Sequence, residues 1–181
     1  AVIQWQEQDK ATNPITIKWC DDDALLSAKD IFIDSFSAIQ TTEPENFSKS
    51  LENHWYKTIF NKMGIKCLSR YAEWATAHDH EDSVLGFCLY NNRYEHRLLD
   101  SLLQKPHVSL LAVKPEVQRH GIGKMLLFSI LKMYPAVKEI SLITQSENAI
   151  ARAVYSHIGF KTIYEEEENV YLKYFLQKQL C

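Results

Sequence analysis

Residues 108–135 read VSLLAVKPEVQRHGIGKMLLFSILKMYP. The opening run is almost wholly apolar and bounded by Lys105-Pro106 and Lys114-Pro115, which predicts a strand buried on both faces. A short loop follows, then a helix from about Gly121 to Tyr134 that Pro135 ends. The chain has five glycines in 181 residues, and two of them, Gly121 and Gly123, stand where this helix begins. Glycine inside a helix costs roughly 1 kcal/mol against alanine, so such a pair implies a backbone that has to stay bare. A helix N-terminus offers unpaired N–H groups and the positive end of the dipole, so bare amides there suit an anion. Arg119 and Lys124 add positive charge beside them.

Further along, EISLIT reads as a strand and NAIARAVYSHI as a helix that Gly159 closes. KTIYEEEENVYLKYFLQ then gives two strands around an acidic turn, residues 165–168. Upstream, the first thirteen residues read as a flexible polar leader, PITIKWC as a first strand, and DDDALLSAKDIFIDSFSAIQ as a helix with acidic residues at its start. A second helix is expected over ENFSKSLENHWYKTIFNKM, stopping at Gly64. IKCLSRYAEWATA and SVLGFCLYNNRY form a predicted hairpin about HDHEDS, and HRLLDSLLQ is either a short helix or an extended loop over a site. With no repeat and no linker, the expectation is one domain over residues 1–181. Strands mixed with about four helices imply an α/β or α+β fold built on a sheet.

Two phosphate-binding motifs fail on the glycine loop. A P-loop needs Ser or Thr after the lysine, where Met125 stands, and a dinucleotide fingerprint needs a third glycine, where Leu126 stands. What remains is Gln118-Arg119-His120-Gly121-Ile122-Gly123, of the form Q/R-x-x-G-x-G/A. With it goes Asn148 to Phe160, in which Asn148 and Tyr155 lie two helical turns apart on one face and Gly159-Phe160 ends the run. On these two motifs the chain resembles the GNAT superfamily of acyl-CoA-dependent N-acyltransferases. The resemblance covers residues 107–160 and extends to the rest through element order. Arg119 departs from it, because relatives often carry glycine or another small residue there.

That resemblance implies a three-layer fold: a mixed, mostly antiparallel sheet of six or seven strands with about four helices on its two faces. It implies acetyl-CoA as acyl donor, with Gln118, Arg119, His120, Gly121, Ile122, Gly123, Lys124 and Asn148 as the residues around the cofactor. Leu111, Ala112 and Val113 would present main chain to the acetyl group, the N–H at or near Val113 polarising the thioester carbonyl. Tyr155 is the matching tyrosine and the expected acid for the departing thiolate, a phenol of pKa about 10 serving a thiol of about 8.5. His107, at the start of the same strand as Val113, is the expected base, with water as the alternative.

The acceptor is expected to be a primary amine, a small molecule before a protein, because residues 91–104 are longer than a hairpin requires and could roof the site, with residues 40–46 as another wall. Trp55, Tyr56, Trp74 and Tyr90 could line an acceptor pocket, although packing is the ordinary fate of such residues. The rival to the enzyme is an acyl-CoA sensor with the same loop and no turnover. A net charge of -3 with scattered basic residues argues against a nucleic-acid partner. The expected setting is the cytoplasm, since no run is long enough to cross a bilayer and Cys20, Cys67, Cys88 and Cys181 show no C-x-x-C pair. No metal is expected: His78-Asp79-His80-Glu81-Asp82 reads as a polar hairpin turn. A homodimer is compatible with the sequence, and the VYLKYFL strand is one place for it.

Overall fold

The computed structural model describes residues 2–10, 12–37, 72–91 and 105–176. The second predicted helix, the HRLLDSLLQ stretch, residues 40–46 and 92–104, Trp55, Tyr56, Cys67 and Cys181 lie outside the described residues. Strands β1 (Ile3–Gln8), β2 (Pro14–Trp19), β3 (Ala72–His78), β4 (Val84–Asn91), β5 (His107–Val113), β6 (Glu139–Gln145), β7 (Lys161–Glu166) and β8 (Asn169–Phe175) make one mixed sheet in the order β1-β2-β3-β4-β5-β6-β8-β7. The described helices are α1 (Leu25–Ser37), α2 (Ile122–Phe128), α3 (Ile130–Met133) and α4 (Ala149–Ile158). The described residues contribute eight strands where six or seven were expected, and the pairings of β1 with β2, β2 with β3, β6 with β8 and β7 with β8 are antiparallel.

The chain divides into two compact units, residues 1–89 with 110–129 and residues 90–109 with 130–181. In the first, α1 repeats apolar residues at helical spacing, and Leu25, Ala28, Ile31 and Phe32 are buried with Trp74, Val84, Phe87, Leu89, Leu110 and Ala112. Burial of a side chain the size of Phe32 contributes roughly 2–3 kcal/mol. Strand β2 alternates strictly, with Ile15, Ile17 and Trp19 buried and Thr16 and Lys18 between them half-buried. Strand β5 alternates too: Val108, Leu110 and Ala112 are buried, whereas Ser109, Leu111 and Val113 are only half-buried. The expectation of two sealed faces therefore fails for β5, since a continuous apolar run records hydrophobicity but not how fully each face is covered.

The expected flexible leader is also corrected. Residues 3–8 are β1, paired with β2 from Ile3 opposite Trp19 to Gln8 opposite Pro14. Its polar side chains disguised it, because an outer strand of a sheet satisfies its backbone on one side and tolerates polar residues on both faces.

In the second unit, β6 pairs with β8 along its length, burying Ile140, Leu142, Val170 and Leu172. The predicted hairpin of β7 and β8 is present, with an irregular register between Thr162 and Tyr164 and Tyr164 stacked on Tyr171 at 4.0 Å. Strand β8, the VYLKYFL segment, is paired on both sides, by β6 and by β7. Its backbone is thus committed within the chain, which removes it as a strand for dimer pairing.

The single helix expected from Gly121 to Tyr134 is interrupted at Ser129. The Ser129 N–H donates to the Leu126 carbonyl at 3.2 Å, and its hydroxyl donates to that same oxygen at 2.7 Å. A serine bonding back to the turn before it tightens the helix locally, and apolar periodicity carries no trace of this.

Candidate active site

From the end of β5 the chain enters a turn of 3-10 helix, Pro115–Val117, with proline at its start where a missing N–H costs nothing. Gln118 is extended, Arg119 has φ 69°, and Gly121 caps α2 with φ 97° and ψ −3°. The first intrahelical bond runs from Met125 N–H to the Gly121 carbonyl at 3.0 Å. The amides of Ile122, Gly123 and Lys124 therefore precede the helical ladder, as anion-binding amides must. Arg119 and Lys124 are exposed beside them.

The two glycines are there for different reasons. At Gly121 the reason is backbone conformation, since a Cβ there would meet nothing nearer than Lys10 Cγ at 3.9 Å, while φ of 97° strains any L side chain. At Gly123 the described residues supply no steric reason. A Cβ there would make ordinary contact with Val113 Cγ2 at 3.7 Å. Without a side chain at this position the amides of the first turn are left bare, as a ligand resting on them would require.

His120 frames the loop: its Nδ1 lies 3.2 Å from the Val117 carbonyl, and its own carbonyl accepts from Lys10 N–H at 2.8 Å. The turn holding Lys10 is itself bonded, Asp9 N–H to Asn13 O at 3.1 Å and Asn13 N–H to Asp9 Oδ1 at 2.9 Å. Sequence reading missed this brace because it took residues 1–13 as leader. The Gln118 side-chain amide donates to the Val113 carbonyl at 3.0 Å, so its visible task is to tie the loop to β5. Leu111 and Val113 are half-buried and Ala112 is buried.

In the second unit, His107 is half-buried and its Nδ1 lies 2.9 Å from Ser141 Oγ, the side chain of its opposite number on β6. Ser141 gave no signal in the sequence, because only strand register brings it to His107. Asn148 is the N-cap of α4, its Oδ1 accepting from Ala151 N–H at 3.0 Å. Two turns on, Tyr155 is half-buried with its ring 5.7 Å from that of Phe160, which in turn lies 5.5 Å from Tyr174. Gly159 ends the helix with φ 114°, as expected, and both its N–H and that of Phe160 reach the Tyr155 carbonyl. The two units thus hold separate parts of the predicted set: residues 111–113 and 118–124 in the first, His107, Asn148 and Tyr155 in the second.

The polar turn at the β3–β4 hairpin holds a bonded cluster. His78, 2% exposed, has Nδ1 3.0 Å from Asp82 Oδ1 and Nε2 2.8 Å from Thr76 Oγ1. Lys18 Nζ lies 2.7 Å from Asp82 and 3.7 Å from Asp21. The hydrogen bond to Asp82 raises the Lys18 pKa above its ordinary 10.5, and the same bond lowers that of Asp82 below 3.8. Among the described residues no group of three or more His, Cys, Asp or Glu is placed to hold a metal ion. Trp74 and Tyr90 are core residues, 4% and 3% exposed, and the Trp74 indole donates to the Asp21 carbonyl.

No curated protein matches the chain. Among solved structures, the PaiA N-acetyltransferase of Thermoplasma acidophilum in complex with coenzyme A superposes with a TM-score of 0.69 at 16% identity, over 90% of this chain and 99% of that one. The GNAT domain of S. lividans PAT gives 0.68 at 11% identity, over 96% and 97%. YncA of Salmonella typhimurium, with its cofactor acetyl-CoA, gives 0.57 at 14% identity, over 92% and 96%. At such identities these likenesses establish the fold. The model of the acetyltransferase (GNAT) family matches residues 29–160, a span that takes in the glycine loop and α4 with Asn148 and Tyr155. The chain belongs to the GNAT acetyltransferase family.

Proposed function

We propose that this acetyltransferase moves the acetyl group of acetyl-CoA onto a primary amine of a small molecule by direct attack of the amine nitrogen on the thioester. The observation that carries the reading is Gly123, bare on the first turn of α2 with no steric reason among the described residues, within the segment that the family model matches. GNAT enzymes use acetyl-CoA, and the residues present fit it: the amides of residues 122–124 and the cations Arg119 and Lys124 suit its phosphates. The cofactor supplies the acetyl group already activated as a thioester.

In this reading Val113 N–H donates to the thioester carbonyl oxygen as negative charge grows there. The Tyr155 hydroxyl gives its proton to sulfur as the C–S bond breaks, while the new C–N bond is kept. The proton lost by the amine nitrogen passes to His107, whose ring the Ser141 hydroxyl orients, or to water. Gln118, His120 and Ile122 shape the phosphate loop, Leu111 and Ala112 supply main chain beside Val113, and Asn148 sets the start of the helix that carries Tyr155.

The preference for a small acceptor rests on the length of residues 91–104 in the sequence. A cytoplasmic setting and a homodimer belong to the same proposal; no described helix is long and apolar enough to cross a membrane. Calorimetry with coenzyme A, followed by thiol release from acetyl-CoA over a panel of small amines and peptides, tests the whole. Binding with release on small amines is expected. Tight binding with no release across the panel would make the chain an acyl-CoA sensor, and no binding would end the reading.

A further inference from the structure

The last residues of β5 are held from several directions, two of them through residues that have no other visible task. A Cβ at Gly86, on β4, would lie 2.7 Å from the Ala112 carbonyl oxygen, closer than real side chains sit, and 3.2 Å from Val113 Cα, a tight contact. Glycine is needed there for close approach of two backbones. One peptide further on, the Val113 carbonyl accepts from Ser35 Oγ of α1 at 3.2 Å and from Gln118 Nε2 at 3.0 Å. Lys114 N–H then donates to the Leu85 carbonyl at 2.8 Å.

The geometry of a peptide turns these contacts into a direction. A trans peptide is planar, with its C=O and N–H opposed. The Ala112 carbonyl faces Gly86 on β4, so the N–H of that same peptide, which is that of Val113, is directed away from β4. On that other edge the parallel ladder of β5 is confined to His107 with Ser141 and Val108 with Leu142. The Ser35 and Gln118 bonds set the following peptide plane. With both planes oriented, the φ and ψ of Val113 and the direction of its N–H follow from them.

We propose that Gly86 and Ser35 are positioning residues for acetyl transfer, holding the Val113 N–H in a fixed aim at the thioester carbonyl. The inference rests on the acetyl-CoA reading above and adds to it two residues outside the glycine loop and α4. A donor held before reaction stabilises developing charge without reorganising at the moment of reaction, which is where such donors gain their effect.

Isotope-edited infrared spectroscopy of acetyl-CoA labelled with carbon-13 at the thioester carbonyl reads the donor directly, beside calorimetric affinity for coenzyme A. In the wild type the bound carbonyl stretch should lie below that of the free ligand. Ser35→Ala and Gly86→Ala should broaden the band and return it toward the free position, with affinity for coenzyme A held within about twofold and acetyl transfer slowed about tenfold. Ser35→Thr, which keeps the hydroxyl, should rescue the wild-type band. An unchanged band in Ser35→Ala with normal affinity overturns the positioning role alone, whereas a wild type that does not bind acetyl-CoA overturns the transferase reading instead. Should Gly86→Ala fail to fold, Ser35→Ala and Ser35→Thr decide the matter between them.

Discussion

Arg119 and Gly121 both take positive φ, 69° and 97°, and only one of them is a glycine. The left-handed region costs an ordinary side chain of order 1 kcal/mol, so Arg119→Gly removes strain that the native residue bears. Urea unfolding should show stability unchanged or raised by up to about 1 kcal/mol, the added freedom of the unfolded glycine offsetting part of the gain. The neighbouring glycines should respond with opposite signs. Gly121→Ala should cost about 1 kcal/mol through its φ, and Gly123→Ala should stabilise by about 0.5–1 kcal/mol, since a Cβ fits there and alanine favours a helix. If Gly123→Ala destabilises the protein, the bareness of that position has an internal cause and the argument for a ligand fails with it. Tyr155→Phe should leave affinity for coenzyme A near the wild-type value while slowing acetyl transfer at least about a hundredfold, because it removes the proton and leaves the ring on Phe160. Steady-state kinetics with any accepted amine measures this.

At the scale of elements, each part of the loop and of α4 has a local device that the residues announce. Pro115 opens the 3-10 turn, Asn148 caps α4, and Gly159 closes it. Asn148→Ala should lower stability by about 1 kcal/mol, read by urea unfolding, because it leaves the Ala151 N–H without its acceptor. Legibility stops where a device depends on a distant strand. A lone glycine inside a strand such as SVLGFCLY is compatible with close backbone approach, but no expectation was drawn from Gly86, and nothing in that octet says that Ala112 is what approaches. Ser35 looked like one more polar position on an amphipathic helix. Its bond to Val113 joins residues 78 apart in the chain, and no local pattern encodes that separation.

For the whole molecule, the Lys18–Asp82 pair links β2 to the turn after β3 and gives stability a pH window. Asp82 has a lowered pKa when folded, so its contribution is present above about 3.8 and is lost as pH falls through the folded value. Lys18 has a raised one, so its contribution is present below about 10.5 and disappears as pH rises through the folded value. Between these limits the pair should add about 1 kcal/mol or less, since the Asp82 side chain is 65% exposed and water screens it. Asp82→Asn should therefore lower the unfolding midpoint at pH 7 and flatten the acid limb of the stability profile. Helical and strand periodicity with glycine and proline placement were enough to determine the element order around the glycine loop, and two short motifs carried the resemblance that named the family, because all of these act within a turn or two of chain. Only the tertiary structure decided that residues 3–8 are a strand, that β5 has one half-open face, that His107 meets Ser141, that Gly86 lies against the Ala112 carbonyl and that Ser35 bonds to that of Val113. Each of these depends on which strand lies beside which and in what register, a choice made by the burial of the whole core and recorded in no single segment.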